Sequence, residues 1–163
     1  MKTLITALIL ACGIALPATH LAAAPASKTT AQFAKKTYGG FKPGKKFSFK
    51  VTEVVATKQK LGGGPTKTSI PKGIPKFKKG KKVKFTIGKK GELKMPGYSI
   101  KFEADGGTSN AYVNKPKGSA PQGDAAIVFK DSNGKPTTVA LTFFKAQGSG
   151  FNTTIYQIFY EFK

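Results

Sequence analysis

Two nine-residue stretches concentrate the chemistry of this chain. Phe41-Lys42-Pro43-Gly44-Lys45-Lys46-Phe47-Ser48-Phe49 and Phe77-Lys78-Lys79-Gly80-Lys81-Lys82-Val83-Lys84-Phe85 agree at six of nine positions, at an offset of 36. Each reads as a turn glycine, a lysine pair and the start of an alternating strand; two copies are too few for a solenoid. Lys42, Lys45, Lys46, Lys78, Lys79, Lys81, Lys82 and Lys84 are the candidate polyanion-binding residues. Ammonium groups at this density attract phosphate or sulfate polymers, because each neutralised phosphate releases condensed counterions. If the two strands are neighbours, their entrances are expected to pool this charge into one patch. The second stretch also has paired basic residues separated by single others, loosely as in glycosaminoglycan-binding segments. The competing reading is a solvated, self-repelling coat that keeps the protein soluble.

The cations are unevenly spread and of one type. The formal net charge is +21, with no arginine. Between Ser27 and Lys94 stand 20 Lys against Glu53 and Glu92. Between Met95 and Lys163 stand seven Lys against Glu103, Asp105, Asp124, Asp131 and Glu161. Lysine is a flexible point charge and lacks the planar fork that reads guanine or clamps a phosphate. Tolerant electrostatic adhesion therefore fits better than sequence-specific nucleic-acid recognition. Stacking on exposed bases would need surface aromatics, and Phe47, Phe49 and Phe85 alternate as core residues do.

Catalytic material is thin. His20 and Cys12 are the only residues of their types, and both lie before Ser27. The usual general base, thiol nucleophile and soft metal ligands are thus missing from the remainder. No Ser stands in a nucleophile-elbow motif, and Gly62-Gly63-Gly64-Pro65 is followed by no P-loop signature. Glu103 with Asp105, and Asp131 with Asn133, each supply too few oxygens for calcium, which takes six to eight. They read as surface acids and a hairpin turn. No enzyme activity, cofactor or metal is expected.

The elements that must position the lysines follow from punctuation and period. Residues 1–26 read as a signal peptide. Lys2 supplies the positive start, Leu4 to Leu16 the short apolar stretch, and Ala24-Pro25-Ala26 the small-x-small pattern before a cut at Ser27. Ile9-Leu10-Ala11-Cys12 loosely resembles a lipobox, which would anchor Cys12 to lipid. The soluble product is preferred, because only eleven residues precede that cysteine and the apolar character continues past it. Residues 27–40 read as a flexible basic arm. Residues 41–163 read as one β domain without disulfides, with a Gly/Pro-rich irregular loop at 61–75.

Period-two alternation runs through Phe47, Phe49 and Val51, then breaks at Glu53-Val54-Val55 as a bulge would. It returns at Val83 to Ile87, Tyr98 to Phe102, Ala111 to Val113, Ile127 to Phe129, Val139 to Phe143 and Ile155 to Phe162. Asn133-Gly134 between two of these runs signals a hairpin. The last run is apolar on both faces, which marks a central strand or one whose outer face meets a partner. The fold class is all-β: an antiparallel sandwich (Ig-like or similar) or a small barrel of about 6–8 strands.

These features predict a secreted or periplasmic/cell-envelope protein without enzymatic activity. It would bind an anionic polymer or surface (acidic polysaccharide, envelope phosphate, anionic lipid, nucleic acid) through its lysine-rich N-terminal half. The alternative is a structural or assembly module of the cell envelope, working through strand edges or the aromatic C-terminal strand. An outer-membrane barrel is opposed by the lysine-laden first strands.

Overall fold

The structure, a computed structural model, describes residues 36–115 and 123–163. The expected signal segment 1–26, with Cys12, and residues 27–35 of the expected arm lie outside the described residues.

Among the described residues the chain is all-β and antiparallel. The strands are β1 (Lys46–Lys60), β2 (Thr66–Lys67), β3 (Lys82–Ile87), β4 (Leu93–Met95), β5 (Tyr98–Ile100), β6 (Phe102–Asp105), β7 (Ser109–Asn114), β8 (Gly123–Lys130), β9 (Pro136–Gln147) and β10 (Thr154–Phe162). They form one sheet, ordered β5-β4-β3-β1-β10-β9-β8-β7-β6, with β2 also on β1. A single sheet replaces the expected sandwich alternative, and it is nearly closed into a barrel. The strand number exceeds the expected six to eight because Leu93–Met95 and Thr66–Lys67 are too short to show a period.

Closure happens at one residue. β5 and β6 are the two ends of the sheet order, yet only Lys101 separates them. What reads as one strand from Tyr98 to Phe102 therefore serves both edges. The Val113 N–H donates to the Lys101 carbonyl at 2.9 Å. The Lys101 N–H donates to Asn114 Oδ1 at 3.2 Å, and Asn114 Nδ2 donates to the Ser99 carbonyl at 3.0 Å. The Asn114 carboxamide continues the ladder where the backbone turns the corner, leaving little of the edge that invites aggregation.

The interior is aromatic. Phe85, Tyr112, Phe143, Tyr160 and Phe162 are buried, with Ile87, Leu93, Ile100 and Ile158 between them. Phe85 meets Phe162 edge-on at 5.1 Å, and Phe143 meets Tyr160 at 6.2 Å, arrangements that suit the ring quadrupoles. β1 changes face at a bulge: its register with β10 shifts between Val51 and Glu53, where the alternation breaks. Phe47, Phe49 and Val51 belong to the core before it, and Val54 and Ala56 after it.

The Gly/Pro-rich loop is more ordered than its composition predicts. Thr66–Lys67 pairs with Thr57 and Lys58, and Ile70, Ile74 and Phe77 pack on the core. Phe77 sits edge-on to Tyr160 at 5.2 Å and to Phe162 at 5.5 Å, while the Tyr160 hydroxyl donates to the Pro75 carbonyl at 2.6 Å. At Asp131 to Gly134 the expected hairpin turn joins β8 to β9. Asp131 Oδ1 accepts the Asn133 and Lys135 N–H groups at 2.9 and 2.8 Å.

The barrel starts earlier than Phe41. Tyr38 and Phe41 exchange backbone hydrogen bonds of 2.9 and 3.0 Å, and Phe41 is buried. The turn between them is latched from beneath. The Gly39 carbonyl accepts Lys130 Nζ at 3.1 Å and Asn110 Nδ2 at 3.1 Å. Lys130 also donates to Asp105 and Asn110, each at 3.0 Å, so an ammonium with a side chain only 7 % exposed uses all three protons. A Cβ on Gly39, at φ 56°, would fall on the Asn110 carboxamide.

Candidate polyanion-binding wall

The two lysine-rich strand entrances do not pool. β1 and β3 are antiparallel, with Lys46 opposite Thr86 and Lys50 opposite Lys82. Lys42, Lys45 and Lys46 therefore lie where β3 ends, and the Ile87 N–H bonds the Lys45 carbonyl at 2.9 Å. Lys78, Lys79, Lys81 and Lys82 lie at the other end, where the Val51 N–H bonds the Lys81 carbonyl at 3.0 Å. Pooling would have required a parallel pair.

The outward face of the ladder bridges the two groups instead. With Phe47, Phe49, Val83 and Phe85 turned inward, Lys46, Ser48 and Lys50 of β1 and Lys82, Lys84 and Thr86 of β3 turn outward. Lys94 stands opposite Thr86 on β4 and extends this face. Lys50 exchanges backbone hydrogen bonds of 2.7 and 2.9 Å with Lys163. Its peptide groups thus point toward β10, so Lys50 and Lys82 form a non-hydrogen-bonded pair, the kind whose side chains approach most closely. Lys82 and Lys50 stand side by side, and Lys163, the residue after β10, continues the row while its ammonium pairs with Glu161 at 2.8 Å. All eight candidate lysines are exposed, and none ion-pairs with a described carboxylate.

The other side of the barrel is built oppositely. In a nearly closed sheet of this order, β7 and β8 lie across from β1 and β3. Register places Ala111, Val113, Ala125, Ile127, Phe129, Ala140, Thr142, Phe144 and Phe159 on the outside of β7 to β10, continuing to Val55 on β1. No outward residue of this wall is a lysine until its margin at Lys163. Its acids, Glu53 and Glu161, are cross-strand partners at one corner. Hydrogen bonds from Lys163 and Thr52 hold the Glu161 carboxyl below the usual carboxylate range. β10 is central, flanked by β1 and β9, which explains why its apolar residues occupy both faces.

A third feature escaped sequence reasoning. At one mouth of the barrel, Tyr98, Asn114, Asp124 and Phe143 border a cavity of ≈ 440 Å³, with Ile74 and Lys145 at its edge. Asp124 points inward and accepts a hydrogen bond from the Tyr98 hydroxyl. Burial pushes its carboxyl up to about 6. Tyr98 and Asp124 stand 26 residues apart, so only the β5-to-β8 proximity that closure creates could reveal them. Of the two candidates weighed for metal binding, Glu103 and Asp105 separate, Glu103 facing Lys115 at 3.2 Å and Asp105 facing Lys130 at 3.0 Å, while Asp131 is taken up by the Asn133 and Lys135 N–H groups of the hairpin turn. Among the described residues no three His, Cys, Asp or Glu side chains group as metal ligands would, and no helix is long and apolar enough to cross a membrane.

The chain matches no protein-family model, no curated protein and no solved structure.

Proposed function

We propose that this protein is an exported, non-enzymatic β module that binds anionic polymers or surfaces through the lysine wall of β1 and β3. The observation that carries this reading is the set Lys46, Lys50, Lys82 and Lys84 on one outward face, none ion-paired to a described carboxylate, with Lys163 and Lys94 at its margins paired to Glu161 and Glu92. Like charges directly opposed across a ladder destabilise a sheet, and a solubility coat would work equally well with its cations dispersed. Their outward alignment on a rigid ladder offers a polyanion a continuous track, and the absence of arginine fits a tolerant rather than base-reading contact. Neutralising Lys46, Lys50, Lys82 and Lys84 together tests the reading. Retention on an immobilised polyanion should be lost, and undiminished retention at physiological salt would sink the proposal.

A second reading, assembly in the cell envelope, is favoured by the lysine-free wall of β7 to β10. Exposed Ile127, Phe129, Phe144 and Val55 on a continuous sheet face form the kind of apolar patch that marks contact sites. Oligomers that persist in high salt would support it, since screening weakens charge but not apolar contact.

A further inference from the structure

Two loops meet at the far end of the long β1–β10–β9 ladder, and each ends in an exposed apolar side chain. Leu61 follows Lys60 in the turn out of β1 and is 57 % exposed. Phe151 sits in the 3-10 turn Gly150–Asn152 between β9 and β10 and is 91 % exposed, the most exposed large apolar side chain described. The loops touch: the Leu61 N–H donates to the Thr153 carbonyl at 3.3 Å. Both are also braced from within. Gln59 Nε2 donates to the Gly63 carbonyl at 2.6 Å, and the Thr153 hydroxyl donates to the Gly150 carbonyl at 2.8 Å. A side chain on Gly148, at φ 100°, would run into the Asn152 backbone.

The charged side chains described around this tip are cations. Lys58, Lys60 and Lys67 are exposed just behind it. No Asp or Glu occurs between Val54 and Gly91, nor between Ser132 and Tyr160, the two spans that build this end. An aromatic and a leucine held outward on neighbouring turns, backed by lysines and free of carboxylates, match the interface of an anionic bilayer. The Phe151 ring and the Leu61 side chain enter the headgroup boundary while the ammonium groups meet lipid phosphates. A soluble polyanion would use the lysines but gives Phe151 and Leu61 nothing to bury against.

We infer that the Leu61/Phe151 tip docks the protein on an anionic lipid bilayer. This rests on the anionic-surface reading above and names the surface. The chain contains no tryptophan, so Phe151→Trp installs a single fluorophore at the tip. The probes are phosphatidylcholine vesicles with and without phosphatidylglycerol, and long-chain polyphosphate as the soluble polyanion. On phosphatidylglycerol vesicles the Trp emission should shift blue and be quenched by brominated acyl chains. Leu61→Ala with Phe151→Ala should weaken vesicle binding tenfold or more and leave polyphosphate binding unchanged. Neither residue is in the core, and circular dichroism checks that the variants fold. Vesicle binding without a Trp shift, or undiminished by the double alanine change, would overturn the tip while leaving the lysine wall standing. Binding to neither polyphosphate nor vesicles would remove both.

Discussion

Replacing Lys50 and Lys82 by glutamine should make the protein more stable and a weaker binder at once. The pair is directly opposed in a non-hydrogen-bonded register, with Lys163 on the other flank of Lys50. Ammonium groups roughly 6 Å apart repel by about 0.7 kcal/mol in water, and flexible stems that splay reduce this to about 0.5 kcal/mol. No counter-term exists, since neither lysine is hydrogen-bonded or ion-paired through its side chain to any described residue. For a domain of this size, about 0.5 kcal/mol raises Tm by about 2 °C. Removing two phosphate contacts should also flatten the log–log salt dependence of DNA or polyphosphate binding by about 2. Differential scanning calorimetry and a binding isotherm at several salt concentrations read the two effects on the same samples. A variant with unchanged Tm and an unchanged salt slope would refute the reasoning, because Lys50 and Lys82 would then be neither crowded nor engaged.

Three further perturbations probe the frame. Asn114→Ala removes the carboxamide that bridges Lys101 and Ser99 at the barrel seam; it should cost about 1–3 kcal/mol and speed hydrogen exchange at Lys101 and Val113. Gly39→Ala should cost about 2 kcal/mol or more, since φ 56° and the Asn110 contact both oppose a side chain; a drop in urea midpoint reports it. Asp124→Asn tests the barrel mouth: burial lifts the folded carboxyl from 3.8 to about 6, so the folded state holds its proton more tightly than the unfolded chain. Stability from this group is therefore present at low pH, falls as pH rises from about 4 to about 6, and stays lowered above that. Solvent reaching the carboxyl limits the effect to about 1–2 kcal/mol. The asparagine variant should gain roughly that much over wild type at pH 7 and nothing at pH 4 in urea unfolding; parallel profiles would contradict it.

What the sequence revealed was whatever depends on neighbours along the chain. Alternation of Phe47, Phe49 and Val51 exposed the strand and its inward face, the run Glu53-Val54-Val55 exposed the bulge, and Asn133-Gly134 exposed the hairpin. What it hid depends on pairing between distant segments. The antiparallel sense of β1 and β3 sends the two repeated entrances to opposite ends, though the two read alike in sequence. Closure at Lys101, the Tyr98–Asp124 contact and the latch of Lys130 under Gly39 arise only once the sheet has curled. The apolar wall was hidden too, since Ile127 and Phe129 look like core residues until β8 register turns Ala126 and Val128 inward. The loop at 61–75 misled by composition: glycine and proline there shape a strap, and Ile70 and Ile74 pin it.

The central claim is that an aligned lysine wall captures polyanions, and binding across a salt series tests it most directly. The protein as its producing cell delivers it would be titrated with polyphosphate, a sulfated glycan, single-stranded DNA and anionic vesicles from low to physiological ionic strength. The account predicts saturable binding that survives near physiological salt, with a steep negative slope that flattens when Lys46, Lys50, Lys82 and Lys84 are neutralised together. Weak, uniform binding that vanishes well below that salt would contradict it and reduce the wall to a solubility coat.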